Sequence, residues 1–467
     1  MNDQKARAGF ESAPAFLNDL IDALTERGRS LLGRRETQQI ARAGGDLTSL
    51  GEMLLSRRGE ASGVVLAQAL LTSYATASAS ERLGFLRALA DRFGPDRQKV
   101  ETAIERVRQM EGHGNSAMEA LHAAAEPRRQ ELIRRLNLAP GGTAALVRMR
   151  EELLGYLREH PELRPVESDF AHLFSSWFNR GFLALRRIEW TTPANILEKI
   201  IRYEAVHAIK DWDDLRNRIE PADRRCYGFF HPQLVDEPLI FVEVALTKEI
   251  PAAVGPLLDT ARTPLRAPEA STAVFYSISN TQRGLAGVSF GNFLIKQVVE
   301  DLKRELPNLK TFVTLSPVPG FASWLAGERA ADGSAALTPA MMDNLRSLEE
   351  PDWHRSPVAE ERVRSALLSA AAFYFLKAKT SGGRPVDPVA RFHLGNGARL
   401  EQLNFLGDLS PNGLRQSHGL MVNYLYALDE IEKNHEAFAE KGVVAASASV
   451  RRALPPEVAP REKMVSP

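Results

Sequence analysis

The sequence predicts an α+β fold in two parts, and three observations carry that expectation. Residues from about 14 to 165 read almost wholly as helix, with few aromatics and few strand-like runs. Beyond Pro161 and Pro165 the texture changes, as Phe170, Phe174, Trp177, Phe178, Phe182 and Trp190 appear. The stretch from Phe275 to Phe321 then reads as strand, glycine-rich turn, amphipathic helix and strand. These place a boundary near 165, giving expected domains 1–165 and 166–467.

The helical part is read from its apolar stripes. Phe16, Leu20, Ile21 and Leu24 form one, and Leu50, Met53 and Leu54 a second. Val64 to Tyr74 form a third, and Leu83, Leu86, Leu89 and Ala90 a fourth. Gly44-Gly45, Gly94-Pro95, Gly112 to Asn115 and Pro140 to Gly142 break the pattern as ordinary helix stops. No cluster of chemically able side chains falls here, so the expected role is packing or oligomerisation.

In the second part, helices are expected over Ser168 to Arg187 and Ala194 to Val206, with strands at Cys226 to Phe230 and Pro238 to Thr247. The latter is a near-continuous apolar run, as in a strand buried on both faces. Ile250 to Ala270 is proline-rich and reads as loop with a short helix. Val274 to Ser279 is a strand that breaks at Asn280. Phe290, Leu294, Val298 and Leu302 recur every fourth residue, which makes a helix with one buried stripe, ended by Pro307. Thr311 to Ser316 is the next strand, expected to stop at Pro317. Further helices are expected at Thr338 to Leu348 and Val363 to Leu376.

Gly284, Gly287 and Gly291 leave the backbone between strand and helix largely unshielded. Free N–H groups at a helix start favour an anion, so a phosphate or pyrophosphate site fits. The spacing matches neither the Walker sequence nor GxGxxG, and on spacing alone a tight βα connection is the plainer reading.

Composition narrows the function. Lys+Arg and Asp+Glu both total 59, for a formal charge of zero, so no field of one sign argues for nucleic acid or an anionic membrane. The single cysteine, Cys226, excludes an internal disulfide and any CxxC metal site. The first residues lack an apolar signal core and no uninterrupted apolar run reaches membrane-spanning length, so a soluble intracellular protein is expected. Neither His231 nor His418 has metal-ligand spacing with another His or Cys, so no metal is expected.

Three segments together resemble the malonyl-CoA decarboxylase family: RRCYGFFHPQLVDEPLIFVEVALT, the Phe275 to Phe321 stretch with its SPVPGF end, and the run from FHLGNGA to GLMVNYLYAL. The resemblance extends, with gaps, over roughly residues 160 to 450. It implies a helical domain followed by a GNAT-like mixed β-sheet domain flanked by helices, in which a glycine-rich turn holds the CoA pyrophosphate. It implies that Ala286, Gly287, Val288, Ser289, Phe290, Gly291 and Asn292 bind malonyl-CoA. Ser316 corresponds to the family's catalytic serine, His393 to its catalytic histidine, and Tyr426 to a tyrosine of the same hydrogen-bond network. Animal members carry a glutamate where this chain has Ser289. The resemblance further implies a homotetramer assembled through the helical domain and no cofactor, CoA being part of the substrate. The chain ends Val465-Ser466-Pro467 rather than in the peroxisomal tripeptide of animal members, so a cytoplasmic location is expected.

The chemistry suits those groups. Decarboxylating a malonyl thioester leaves an enolate whose oxyanion needs donors and whose α-carbon needs a proton. A histidine near its ordinary pKa of about 6.5 supplies one at neutral pH. Taken without the resemblance, Ser316 reads first as a backbone cap, His393 as a satisfied core group, and Tyr424 and Tyr426 as ordinary core aromatics with hydroxyls at the rim; it is the resemblance that reverses the reading of Ser316 and His393. His418 is a reserve proton donor, His231 shapes the pocket or caps a turn, and Arg391 and Arg399 meet either the ligand's anions or solvent. An amine acyltransferase and a silent CoA-binding scaffold are the competing readings.

Overall fold

The computed structural model describes residues 46–56, 59–109, 115–288 and 294–455. The chain divides into two compact units: Met1–Ala184 with Phe230–Glu237 and Gln282–Phe290, and Leu185–Phe229 with Pro238–Thr281 and Gly291–Pro467.

The first unit is helical. It contains α1 (Leu47–Leu55), α2 (Glu60–Thr76), α3 (Ala79–Asp91), α4 (Arg97–Arg108), α5 (Asn115–Ala125), α6 (Arg128–Asn137), α7 (Gly142–Tyr156) and α8 (Arg164–Trp177). The chain stops read at Gly94-Pro95 and Pro140-Gly141 fall between helices, Gly142 opens α7, and Ser78 with Glu81 closes a capping box at the start of α3. Leu66, Leu70, Leu86, Leu132, Ile133 and Leu146 are fully buried and form its interior. The expected stripe from Phe16 to Leu24 lies outside the described residues.

One expected element is corrected. The helix read over 168–187 ends at Trp177, and Ala184–Ile188 is a strand, β1. Asn179 accepts from the Gly181 N–H and a 3-10 turn follows, so the helix is terminated before the change to period two.

The second unit carries a mixed sheet: β1, β2 (Arg224–Phe230), β3 (Pro238–Thr247), β4 (Thr272–Asn280), β5 (Thr311–Thr314), β6 (Ser316–Pro317), β7 (Arg399–Asn404) and β8 (Met421–Leu425). Their order is β1-β2-β3-β4-β5-β8-β6, with β7 on the other side of β8. As its apolar run requires, β3 is buried along nearly its whole length and pairs antiparallel with β4. Parallel pairing joins β4 to β5, the crossover being α11 (Leu294–Glu305), which follows α9 (Ala194–Tyr203) and α10 (Trp212–Ile219). Leu294, Ile295, Val298, Val299 and Leu302 of α11 are buried, so the stripe read from the sequence faces inward. Further helices of this unit are α12 (Phe321–Ala330), α13 (Pro357–Leu376), which contains the expected helix Val363 to Leu376, and α14 (Pro388–Gly395).

The strand expected over Thr311 to Ser316 is present but changes partners. β5 and β6 keep a single antiparallel register on β8, Val313 opposite Leu425 and Ser316 opposite Val422. On the other edge the ladder with β4 ends at Phe275 opposite Thr314, with a last bond from Leu315 N–H to Phe275 O. Beyond that point β4 runs on to Asn280 without β6, and the two strands part. The expected stop at Pro317 is therefore corrected: Pro317 pairs with Met421. A proline is tolerated because its missing N–H faces the side where no ladder is formed.

Candidate active site

The parting of β4 from β6 opens a cavity of about 270 Å³. Ile240 and Val242 of β3, Ile278 of β4, and Leu294 and Ile295 of α11 give it apolar walls. Ser316 and His393 are the polar groups at one side, and Asn280 lies at the far end of β4. This is the small end of ligand pockets, with room for an acyl thioester head.

His393 comes from α14. Asp387 caps that helix, its Oδ1 accepting from the Ala390 N–H at 2.6 Å, and Pro388 takes the first position. Ala390, His393 and Leu394 share the buried face, while Phe392 is 41% exposed. Tyr424 and Tyr426 reach the same imidazole because side chains two apart along an extended chain share a side. The Tyr424 ring stacks on His393 with centroids 4.6 Å apart, and the Tyr426 hydroxyl stands 2.8 Å from Nδ1. Both tyrosines are buried, not at a rim as the sequence suggested.

Ser316 Oγ lies 3.3 Å from His393 Nε2 and donates to Thr314 Oγ1 at 2.9 Å. Thr314 Oγ1 also accepts from the Tyr424 N–H at 3.1 Å. Asn423, fully buried, donates to the Thr314 carbonyl at 2.8 Å and accepts from Asn404 at 2.6 Å. The strand break that carries Ser316 is thus tied down on both sides.

Electrostatics correct one expectation. Burial alone pushes the His393 imidazole from its ordinary 6.5 down to about 3, so it is neutral at pH 7 rather than poised near that pH. Burial raises the Tyr426 hydroxyl well above its ordinary value, which keeps it protonated. Asp387 is raised by burial to about 6.

Ser316, His393 and Tyr426 are therefore brought together. Of the residues expected to bind ligand in the turn, Ala286, Gly287 and Val288 are described, while Ser289, Phe290, Gly291 and Asn292 lie outside the described residues. Within the first unit, Arg150 of α7 donates to the carbonyls of Gly284 at 2.6 Å and Ala286 at 2.9 Å, and pairs with Glu167 at 2.7 Å. A Cβ on Gly284 would stand 1.9 Å from the Val147 carbonyl oxygen, and Gly287 has φ +76°. Each position needs glycine, the first for space and the second for backbone conformation.

The other candidates fall elsewhere. His418 closes the helix Pro411–Ser417 in a left-handed conformation, and burial pulls it down to about 4. His231 caps a turn, its Nδ1 accepting from the Gln233 N–H and its Nε2 facing the Trp177 carbonyl. Arg391 donates to the carbonyls of Pro385 and Val386, and Arg399 pairs with Glu401 and Glu430. Thr314, Asn423, Asp387 and Arg150 were not singled out in the sequence. A threonine in a strand and a cap before a helix have ordinary local explanations there.

Among the described residues, no helix is long and apolar enough to cross a membrane. Among the same residues, no group of three His, Cys, Asp or Glu side chains could hold a metal ion.

Comparison with known proteins bears on both halves of the chain. Residues 181–464 match the malonyl-CoA decarboxylase C-terminal domain, and residues 93–178 match the N-terminal domain of the same name. The mitochondrial malonyl-CoA decarboxylase of Mus musculus is 35% identical over 405 residues, 80% of this chain and 82% of that protein. The crystal structure of malonyl-CoA decarboxylase from Rhodopseudomonas palustris is 65% identical, with a TM-score of 0.84, and covers 87% of this chain and 99% of that one. The corresponding structure from Agrobacterium vitis is 57% identical, with a TM-score of 0.84 and coverage of 88% and 100%. Matched over most of its length by both domains and by close relatives, this chain belongs to the malonyl-CoA decarboxylase family.

Proposed function

We propose that the protein decarboxylates malonyl-CoA to acetyl-CoA and CO2. The observation that carries this reading is the Ser316, His393 and Tyr426 contact chain at the wall of an apolar cavity, in a member of this family. The electrons of the breaking C–C bond move onto the thioester oxygen, and a proton then closes the α-carbon. Donors aimed at that oxygen contribute about 3–4 kcal/mol each in a water-poor site. In this reading Ser316 hydrogen-bonds the malonyl group as proton acceptor and His393 gives the proton to carbon.

The reaction consumes one proton, and the lowered pKa of His393 says when it is taken up. In the free enzyme the imidazole is neutral. A malonyl carboxylate entering the apolar cavity favours the charged imidazolium, so substrate and proton arrive together. The thioester carbonyl is itself the electron sink, and this reading requires no organic cofactor or metal.

The turn from Ala286 to Asn292 belongs to the proposal as the holder of the CoA pyrophosphate. The GNAT-like arrangement belongs to it too, supported by the parallel β4 and β5 joined through a glycine turn and α11. Assembly as a tetramer through residues 1–165, a catalytic domain over 166–467 and a cytoplasmic site of action complete the reading.

The test is release of CO2 and acetyl-CoA from malonyl-CoA with no amine present. Stoichiometric release, lost by about 100-fold or more in His393→Ala and Ser316→Ala, is the expected result. Acyl transfer only when an amine is added would put an acyltransferase in its place. Binding of CoA without any turnover would leave a silent binder.

A further inference from the structure

We infer that Thr314 is a positioning residue that, together with Tyr426 at the other end, fixes the direction of the hydrogen-bonded chain through the site: Tyr426 O–H to His393 Nδ1, His393 Nε2–H to Ser316 Oγ, and Ser316 O–H to Thr314 Oγ1. Two independent counts of protons lead to this order. The first starts from Thr314. Ser316 has a single hydroxyl proton, and it is given to Thr314 Oγ1 at 2.9 Å. Its 3.3 Å contact with His393 Nε2 is then a hydrogen bond only if the nitrogen carries the proton.

The second count starts from the other end. Tyr426 is 2% exposed, and among the described residues its hydroxyl meets one partner, Nδ1 of His393. A buried O–H is satisfied there by donating, which leaves Nδ1 as acceptor. A neutral imidazole has one N–H, so the proton again sits on Nε2.

Thr314 is suited to the task. It is fully buried, its Oγ1 is held by the Tyr424 N–H, and its carbonyl is held by Asn423. Ser316 and Thr314 are two residues apart across the break at Leu315, so their side chains meet on one side of the strand. In consequence His393 does not draw the proton from Ser316 in the free protein, as a base would in activating a nucleophile. Ser316 offers lone pairs, and one proton already stands on the nitrogen beside it.

The tautomer is independent of the proposed reaction. The expected loss of rate rests on the decarboxylase reading, so two readouts separate them. Full-length protein with 15N-labelled histidine is examined by NMR near pH 7, the His393 signals being assigned by their loss in His393→Gln. Wild type is expected as the Nε2–H tautomer, and Tyr426→Phe is expected to keep it, because Thr314 still holds the serine proton. In Thr314→Val the serine proton loses its acceptor but Tyr426 still donates to Nδ1, so Nε2–H is kept while kcat falls about 10-fold or more with little change in KM. In the double variant Thr314→Val/Tyr426→Phe neither end holds the order, the serine proton turns to Nε2 and the tautomer changes to Nδ1–H. Thr314→Ser restores kcat, and it restores Nε2–H in the Tyr426→Phe background. A wild-type Nδ1–H tautomer, a change of tautomer in Tyr426→Phe, or the double variant retaining Nε2–H overturns the inference. The first two results need no folded Thr314→Val. If the tautomers are as stated and wild type releases no CO2, the reaction is wrong and the chain stands.

Discussion

Tyr426 places its hydroxyl 2.8 Å from Nδ1 of His393, and burial keeps that hydroxyl protonated. The pair sets both the orientation of the ring and the nitrogen that faces Ser316.

Removing the tyrosine hydroxyl should therefore be felt in turnover. Tyr426→Phe leaves a buried nitrogen without its donor, a loss of about 1–2 kcal/mol, or roughly 5- to 30-fold in kcat. Acetyl-CoA formation at saturating malonyl-CoA measures it. A variant with unchanged kcat would mean that the hydroxyl only fills space.

The pH profile should separate the free protein from its complex. His393 in the free protein titrates at about 3, so it adds no inflection to kcat/KM between pH 5 and 8. With a substrate carboxylate beside it the pKa rises, and kcat should fall as pH rises through that raised value. Initial rates at low and at saturating substrate over this range test both limbs. An inflection of kcat/KM near 6.5 that disappears in His393→Gln would contradict the buried, neutral imidazole.

Stability gives the same group a second test. Its folded pKa lies below the ordinary 6.5, so the unfolded chain binds a proton at a pH where the folded chain does not. This disfavours folding progressively as pH falls from about 6.5 toward 3. His393→Gln lacks that penalty. Its Tm should gain on wild type as the buffer is taken from pH 7 to pH 5, whatever the offset between them at pH 7, and melting curves of both proteins decide the matter.

The turn that precedes α11 should be intolerant of a single methyl group. Gly284→Ala sets a Cβ 1.9 Å from the Val147 carbonyl oxygen, and the backbone must move to admit it. An overpacking cost of about 1–3 kcal/mol is expected. On the proposed role of the turn, KM for malonyl-CoA should rise more than kcat falls. A melting curve and a substrate titration read the two effects separately.

How much of this was legible beforehand depends on whether one element or several decide a feature. The double-sided burial of β3 and the inward stripe of α11 follow from local apolar pattern, and both are as read. The loss of β4 as a partner beyond Leu315 is not local. It depends on three strands at once, and TFVTLS looks like any uniform strand. His393 was found through resemblance, yet its neutral state comes from packing by Tyr424 and Tyr426, more than thirty residues further on. Thr314 was invisible because its hydroxyl works on a residue two places away, where a β-branched strand former needs no further reason to be. Arg391 and Arg399 looked free to meet anions, and backbone carbonyls and glutamates occupy them instead.

Arg150 grips the carbonyls of Gly284 and Ala286 from more than 130 residues away in the chain. The two segments are therefore structurally matched to each other. A chimera that borrows residues 1–184 from one relative and the remainder from another joins this arginine to a foreign turn, and a fragment that begins after Ala184 removes it altogether. The natural unit for a shuffling experiment on this chain is not contiguous in sequence: the helical segment travels with Phe230–Glu237 and Gln282–Phe290.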